Sequence, residues 1–163
     1  MFLDRFIFFL KENLRLVIGA LVVLFFAILA LVIVVSRNNS QAKTKVTLNN
    51  KTFNVFVART EQEKKVGLSS KNKISNEQGM LFLFDKPDFY AFWMKEMKFP
   101  IDIIYIENNK VTTVFSNVSP RSSSGDLPLY KPKNKSDMVV EVNAGLADKY
   151  DVHEGTTIKI DNL

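Results

Sequence analysis

Twenty consecutive residues near the N-terminus, Leu16 to Val35, carry no charged side chain, and this run limits the possible folds more than any other feature. A helix of this length rises about 30 Å, which matches the hydrocarbon core of a bilayer. A cleavable signal peptide usually has a shorter apolar region and a small-residue exit, whereas this run ends in valines followed by Ser36 and Arg37. The sequence therefore predicts one uncleaved transmembrane helix in a lipid bilayer.

The charges around this run leave its orientation nearly balanced. Three basic residues precede it and three follow within a comparable distance, so the positive-inside count favours neither side. Lys11 and Arg15 lie at the entry of the helix, and an N-terminal first helix often acts as a signal anchor. We therefore expect a single-pass protein of the cell membrane, with residues 1–15 in the cytoplasm, a polar linker over 36–45 and an extracytoplasmic domain over 46–163.

The domain after the linker is close to electrically neutral, although the whole chain has a net charge of +5. Residues 46–163 contain 16 Lys and Arg against 15 Asp and Glu, so they lack the basic excess typical of nucleic-acid binding. The chain has no cysteine, which excludes disulfides, thiolate nucleophiles and Cys-ligated metals. His153 is the single histidine, so a multi-histidine metal site is excluded as well. We expect no cofactor and no metal.

Alternating apolar residues predict strands joined by tight turns. Residues 46–58 alternate about an Asn-Asn pair, and a second such pair separates the patterns at 100–106 and 111–118, so two hairpins are expected. Thr60 and Glu63 have the spacing of a capping box at the start of a short helix.

The remaining patterns complete the predicted fold. They indicate strands over 79–84, 89–97, 138–142 and 157–160, and a second short helix over 145–150. Seven or so short strands with two small helices predict an α+β, mostly β domain, in which an antiparallel sheet curls into a barrel or half-barrel.

The segment between two of these strands, Ser119 to Asp137, has no period of either kind. It contains three prolines and five serines among nineteen residues. Loops of this length in a compact domain are usually functional or disordered. The segment is therefore the first candidate for a binding surface, with a mobile solvated loop as the alternative.

Several motifs occur in an order and spacing that resembles a known family. They are ARTEQEKKVGL (58–68), EQGMLFLF (77–84), FWMKEMKFPIDIIYI (92–106), the Pro120 to Ser122 step, and VVEVNAG followed by HEG (139–155). Together they resemble the family called domain of unknown function 192. The resemblance covers nearly the whole domain and implies a compact, mostly β fold, often behind an export signal or membrane anchor in prokaryotes, without an established activity.

Two departures from this family concern polar positions. The family usually has Asn-Thr where this chain has Glu96 and Met97, and Arg where this chain has Lys71. An Asn-Thr pair both donates and accepts hydrogen bonds, whereas ionised Glu96 only accepts them. Any polar chemistry of the family at this point is therefore altered here.

Two carboxylates in predicted strands are the candidates for catalysis. Asp102 shares a strand face with two isoleucines, so its carboxylate needs a partner in apolar surroundings. It is either an acid, base or cation ligand, or a structural group that binds backbone N–H groups or a basic side chain, and the structural alternative is favoured. Glu141 lies similarly between two valines. The aromatic stretch around Trp93 either lines a stacking groove or belongs to the core.

The leading hypothesis is a non-catalytic module that binds an envelope ligand or a membrane-protein partner through the long loop and nearby strand ends. Its candidate binding residues are Trp93, Lys95, Glu96, Arg121, Ser122 and Tyr130. The alternative is a hydrolase or transferase that uses Asp102 and Glu141, which requires both carboxylates in one pocket. A third alternative is a structural subunit of a membrane assembly.

Overall fold

The computed structural model describes residues 2–38, 44–120 and 128–163. The chain divides into two compact units, Met1–Ser40 and Gln41–Leu163. Arg121 and Ser122, two of the candidate binding residues, lie outside the described residues, together with most of the central part of the predicted long loop.

The first unit consists of two helices, α1 (Phe2–Glu12) and α2 (Leu14–Asn38). α2 extends through the uncharged run, and most of the large apolar side chains described in it are exposed. Among the residues that the structure describes, no helix combines the length and apolar character needed to cross a membrane. α2 continues to Asn38, and the first strand begins at Thr44.

The second unit is a seven-stranded sheet with short helical segments in its connections. The strands are β1 (Thr44–Leu48), β2 (Lys51–Ala58), β3 (Gln78–Asp88), β4 (Ile101–Glu107), β5 (Lys110–Val118), β6 (Ser136–Asn143) and β7 (Ile158–Asp161). The helical segments are α3 (Glu61–Val66), a 3₁₀ turn (Gly67–Ser70) and α4 (Leu146–Lys149).

The sheet is mixed, so the predicted purely antiparallel sheet is wrong. The strand order is β5-β4-β6-β3-β2-β1-β7, and β2 pairs with β3 in parallel while all other neighbours are antiparallel. The reason is the connection between them: α3 and the 3₁₀ turn carry the chain back to the starting end of β2, and parallel neighbours need a crossover of this kind.

The sheet curls into a half-barrel, as predicted. Its two end strands approach each other where β5 begins and the chain enters β7: Val111 N donates to Thr156 O at 2.9 Å, and Gly155 N donates to Val111 O at 2.8 Å. One face of the curled sheet carries an apolar core to which every strand contributes. The other face of the central strands carries a second core, covered by the connecting segments.

The two predicted Asn-Asn turns and the capping box are confirmed. Asn108 and Asn109 have φ values of 51° and 57° between β4 and β5, as a type I′ turn requires. The Thr60 side chain accepts from Glu63 N, and the Glu63 carboxylate accepts from Thr60 N, at the start of α3. These local signals were sufficient because each involves groups only two or three residues apart.

The predicted strand over 89–97 is wrong. Phe92 makes a single bridge to Tyr130 through two backbone hydrogen bonds, and the chain then turns, with Met97 N donating to Met94 O. The aromatic and methionine side chains that suggested a strand instead cover the second core. We call residues 89–97 the cover segment.

Candidate functional site

A cleft of about 380 Å³ lies on the outer face of β3 and β6, between α3 and the cover segment. Its floor and walls combine aromatic side chains with a few charged ones. The lining residues are Glu61, Lys64, Lys65, Val66, Gly67, Leu68, Ser69, Phe82, Phe84, Tyr90, Ala91, Phe92, Trp93, Lys95, Met97 and Glu141. Clefts with apolar walls and a small number of polar groups are the usual form of small-molecule sites.

Glu141 reaches the cleft from the middle of β6, where it lies opposite Met80 of β3 and Ile103 of β4. The residue is only 5% exposed, and its Oε2 atom has no hydrogen-bond partner among the described residues. Burial raises the pKa of Glu141 to about 8, because the charged form loses its hydration. At neutral pH the group is therefore largely a neutral carboxylic acid.

Gly79 allows β3 to approach the backbone at Glu141 closely. A Cβ atom added to Gly79 would lie 2.6 Å from the carbonyl oxygen of Glu141, closer than real Cβ atoms approach oxygen. The absence of a side chain here thus keeps β3 and β6 in register beside the cleft floor.

The apolar side of the cleft is a group of interlocking rings. Phe82 and Phe92 meet edge to face at 4.9 Å, and Phe84 stacks on Tyr90 at 3.6 Å. Trp93 is 47% exposed. A half-exposed indole beside packed rings leaves apolar area available to a bound molecule.

Lysines surround the cleft, and they differ in how far their charge is already compensated. Lys64 pairs with Glu61 at 2.6 Å and lies 4.7 Å from the centre of the Phe84 ring. Lys65 and Lys95 make no ion pair among the described residues. The cleft is therefore lined by two lysines without an ion pair in the described part of the chain, one on α3 and one on the cover segment.

Tyr105 holds the cover segment against the sheet. Its buried hydroxyl lies 3.0 Å from the carbonyl oxygen of Tyr90 and 2.6 Å from that of Tyr130, and it donates toward these acceptors. Burial, with a smaller contribution from Glu141, raises the pKa of Tyr105, so the hydroxyl keeps its proton. The cover segment is thereby joined both to β4 and to the chain around Tyr130.

Asp102 lies on the opposite face of the sheet from Glu141. It pairs in register with Val142, and its carboxylate accepts hydrogen bonds from the backbone N–H groups of Asn117, Gly145 and Ala147 at 2.8 to 3.0 Å. These contacts match the structural alternative predicted for Asp102, in which its carboxylate binds backbone N–H groups. The two carboxylates are not brought into one pocket.

The structure thus brings together three of the residues singled out from the sequence, Trp93, Lys95 and Glu141. Glu96 is exposed and does not line the cleft, and Tyr130 packs its ring against Phe115 at 5.5 Å. Sequence reasoning missed Lys64, Lys65, Phe84 and Met97, whereas Tyr90 belongs to the aromatic stretch that it offered as a stacking groove. The one available signal for the two lysines was the capping box of α3. It fixes the residue at which the helix begins, and therefore the side of the helix on which each lysine lies.

Comparison with known proteins assigns the chain to a family. The model of that family, described as an uncharacterized ACR, matches residues 43–160. The chain belongs to the domain of unknown function 192 (DUF192) family. No curated protein matches the chain.

Two solved structures resemble this DUF192 protein. A protein of unknown function from Novosphingobium aromaticivorans is 28% identical, with a TM-score of 0.65 over 71% of this chain and 83% of that one. A candidate transcription regulator from Sinorhizobium meliloti is 25% identical, with a TM-score of 0.66 over 76% of this chain and 98% of that one.

The family's usual Asn at the position of Glu96 now has a conformational explanation. Glu96 has a φ of 59°, in the left-handed region that asparagine adopts more readily than glutamate. The side chain is exposed and lies outside the cleft lining. The left-handed backbone at this position therefore favours asparagine over glutamate.

Proposed function

We propose that the DUF192 domain of this protein is a non-catalytic binding module for a small ligand, and that the cleft above Glu141 is its site. One observation carries the proposal: a buried carboxyl group without a hydrogen-bond partner among the described residues opens into an aromatic cleft. An unsatisfied buried polar group costs about 1 to 3 kcal/mol. A ligand that supplied the missing partner would recover this energy on binding.

Binding is favoured over hydrolysis or group transfer because the site has a single buried carboxyl group. Acid–base catalysis on the pattern of glycosidases uses two carboxyl groups within about 10 Å on either side of the scissile bond. Asp102, the second carboxylate of that alternative, is on the other face of the sheet and is occupied by three backbone N–H groups.

The proposal includes attachment to a lipid bilayer through the apolar run of α2. The support is its composition and exposure: Leu16 to Val35 has no charge, and side chains such as Val23 and Phe26 are largely exposed in the first unit. Apolar surface of this extent requires a cover in water. A single-pass helix with the domain outside the cytoplasm is the arrangement we propose.

The single tryptophan makes the binding proposal directly testable, because Trp93 lines the cleft. The purified full-length chain would be titrated with small amines, acids, sugars and short peptides while its tryptophan emission is recorded. A true ligand should shift the emission and raise the melting temperature by mass action. Both effects should be lost in Glu141→Gln and kept in Glu154→Gln, an exposed control.

Failure would take a definite form. If compounds that raise the melting temperature leave Trp93 emission unchanged and act equally on Glu141→Gln, the cleft is not the site. Turnover of any compound by the wild type but not by Glu141→Gln would favour the enzyme alternative instead.

Bilayer attachment is tested by expressing the full-length chain and extracting the membranes with alkaline carbonate. We expect the wild type to stay with the membrane pellet and Leu24→Arg to be released in part, because a charge at the centre of a spanning helix costs about 3 kcal/mol. Lys135→Arg serves as the control. Quantitative release of the wild type would contradict the proposal.

A further inference from the structure

Resting on the proposed function, we infer that the cleft binds a zwitterionic molecule, with an ammonium group at Glu141, an apolar body against the rings, and an anionic group between Lys65 and Lys95. The inference specifies the ligand class for the same site. The support for it is the arrangement of the lining groups: a buried carboxyl group at the floor, aromatic rings along the walls, and exposed lysines at the mouth.

The floor of the cleft, at Glu141, favours a cationic group of the ligand. Oε2 of Glu141 is buried and lacks a partner among the described residues, and the rings of Phe92 and Trp93 line the same cleft. An ammonium group forms a charge-assisted hydrogen bond with a carboxylate, about twice as strong as a neutral one. Ring faces also attract cations. A neutral donor would gain only the weaker hydrogen bond.

The mouth of the cleft, at Lys65 and Lys95, favours an anionic group of the ligand. Lys64 is already neutralised by Glu61, whereas Lys65 and Lys95 have no carboxylate partner in the described part of the chain. Both lysines line the cleft, so a carboxylate or phosphate at its mouth has two ammonium groups available as partners. The rings between floor and mouth leave room for an apolar body. The two charged ends of the ligand are therefore separated by this body.

The environment of Glu141 makes binding depend on pH. Tyr105 of β4 interacts electrostatically with Glu141, and the other ionisable side chains that line the same cleft are Glu61, Lys64 and Lys65 of α3 and Tyr90 and Lys95 of the cover segment. The pKa of Glu141 is raised to about 8, so an incoming ammonium must displace a proton at lower pH. The affinity should rise about tenfold per pH unit below that value and level off above it.

The probes are three molecules of nearly equal length: 6-aminohexanoate, hexylamine and hexanoate. Each would be titrated into the full-length chain by calorimetry at pH 6.5, 7.5 and 8.5, in two buffers of different ionisation enthalpy. We expect 6-aminohexanoate to bind most tightly, hexylamine about tenfold more weakly, and hexanoate not measurably. Binding of both amines at pH 6.5 should release protons to the buffer.

Variants separate the two ends of the ligand. Glu141→Gln should abolish binding of both amines and the proton release. Lys65→Ala combined with Lys95→Ala should reduce the affinity for 6-aminohexanoate to that for hexylamine and leave hexylamine unchanged. Lys135→Ala, an exposed lysine away from the cleft, should change nothing.

Two results would overturn the inference without affecting the binding proposal. Hexanoate that binds as well as hexylamine would mean that the floor takes a neutral acid or an anion. A neutral sugar or peptide that shifts Trp93 emission, while none of the three probes binds, would mean that charge does not select the ligand. If no compound of any class shifts that emission, the binding proposal itself fails.

Discussion

At the scale of single residues, the cleft depends on one carboxyl group that the fold keeps uncharged. Glu141 is surrounded by the apolar second core and has a pKa of about 8. Asp102, only slightly more buried, is matched by three backbone N–H groups. Two buried carboxylates thus have opposite environments, and only the one without partners is available to a ligand.

Replacement of Glu141 should stabilise the domain in a pH-dependent way. Its pKa rises from 4.5 in the unfolded chain to about 8, so the native state holds the extra proton between these values. The free energy of unfolding of the wild type therefore falls as pH rises through this window, by up to about 1.4 kcal/mol per unit. Glu141→Gln should match the wild type near pH 4.5 and exceed its stability by a few kcal/mol at pH 8.

This difference is measured by urea unfolding at several pH values. Glu154→Gln, on an exposed turn, should follow the wild-type curve at every pH. A Glu141→Gln curve parallel to that of the wild type would contradict a raised pKa.

Glu96→Asn should stabilise the domain by about 0.5 to 1 kcal/mol. The backbone at Glu96 is left-handed, and asparagine adopts this conformation at a lower cost than glutamate. Glu154→Asn makes the same change where φ is not positive and should give no gain. Thermal unfolding compares the two variants, and equal shifts would rule out the conformational explanation.

At the scale of secondary-structure elements, close packing between strands and turns positions the cleft. β3 and β6 run side by side under the cleft, with Gly79 opposite Val142 and next to Glu141. On the other face, Asp102 ties β4 to the turn before α4 and to β5. A change at either contact should therefore alter more than one element.

Gly79→Ala should destabilise the domain by about 1 to 3 kcal/mol, because its Cβ would press against the Glu141 carbonyl and separate β3 from β6. Trp93 emission should change as the cleft floor moves. Gly19→Ala, where no atom lies within 4 Å of the added Cβ, is the control and should leave the domain's unfolding unchanged. Chemical denaturation followed by fluorescence makes the comparison.

Asp102→Asn should lower the free energy of unfolding by about 3 kcal/mol. In the variant, the side-chain NH₂ group, which is a donor, would face a backbone N–H donor where the wild type has an accepting carboxylate oxygen. Hydrogen bonds to a charged group are worth about 1.5 to 3 kcal/mol each. Asp85→Asn, on an exposed segment, should have almost no effect. Ligand binding should survive in Asp102→Asn at low temperature, since the residue lies away from the cleft; loss of binding in a folded variant would contradict this.

At the scale of the whole molecule, the second unit coincides with the family domain. The family match covers residues 43–160, and the Sinorhizobium meliloti structure aligns over 98% of its own chain. Because that structure consists almost wholly of the matching region, we expect the domain of this chain to fold without the first unit. Residues 41–163 should therefore unfold cooperatively at the same temperature as the domain in the full-length chain. Calorimetry tests this, and a much lower transition for the fragment would contradict it.

The sequence alone determined the features that arise from neighbouring residues. The uncharged run, the two Asn-Asn turns, the capping box at Thr60 and the family all follow from local patterns. Alternation along β4 and β6 also indicated that Asp102 and Glu141 are buried. These signals succeed because hydrogen bonds and side-chain periodicity within a few residues fix the local conformation.

Only the tertiary structure decided which of these groups share a site. Alternation shows that a side chain faces one side of a strand, but the neighbouring strand and its register depend on contacts distant in sequence. The crossover through α3 made β2 and β3 parallel, and the cover segment folded over the second core instead of joining the sheet. Glu141, Trp93 and Lys65 meet in one cleft because long-range packing, which no local pattern records, brings three separate segments together.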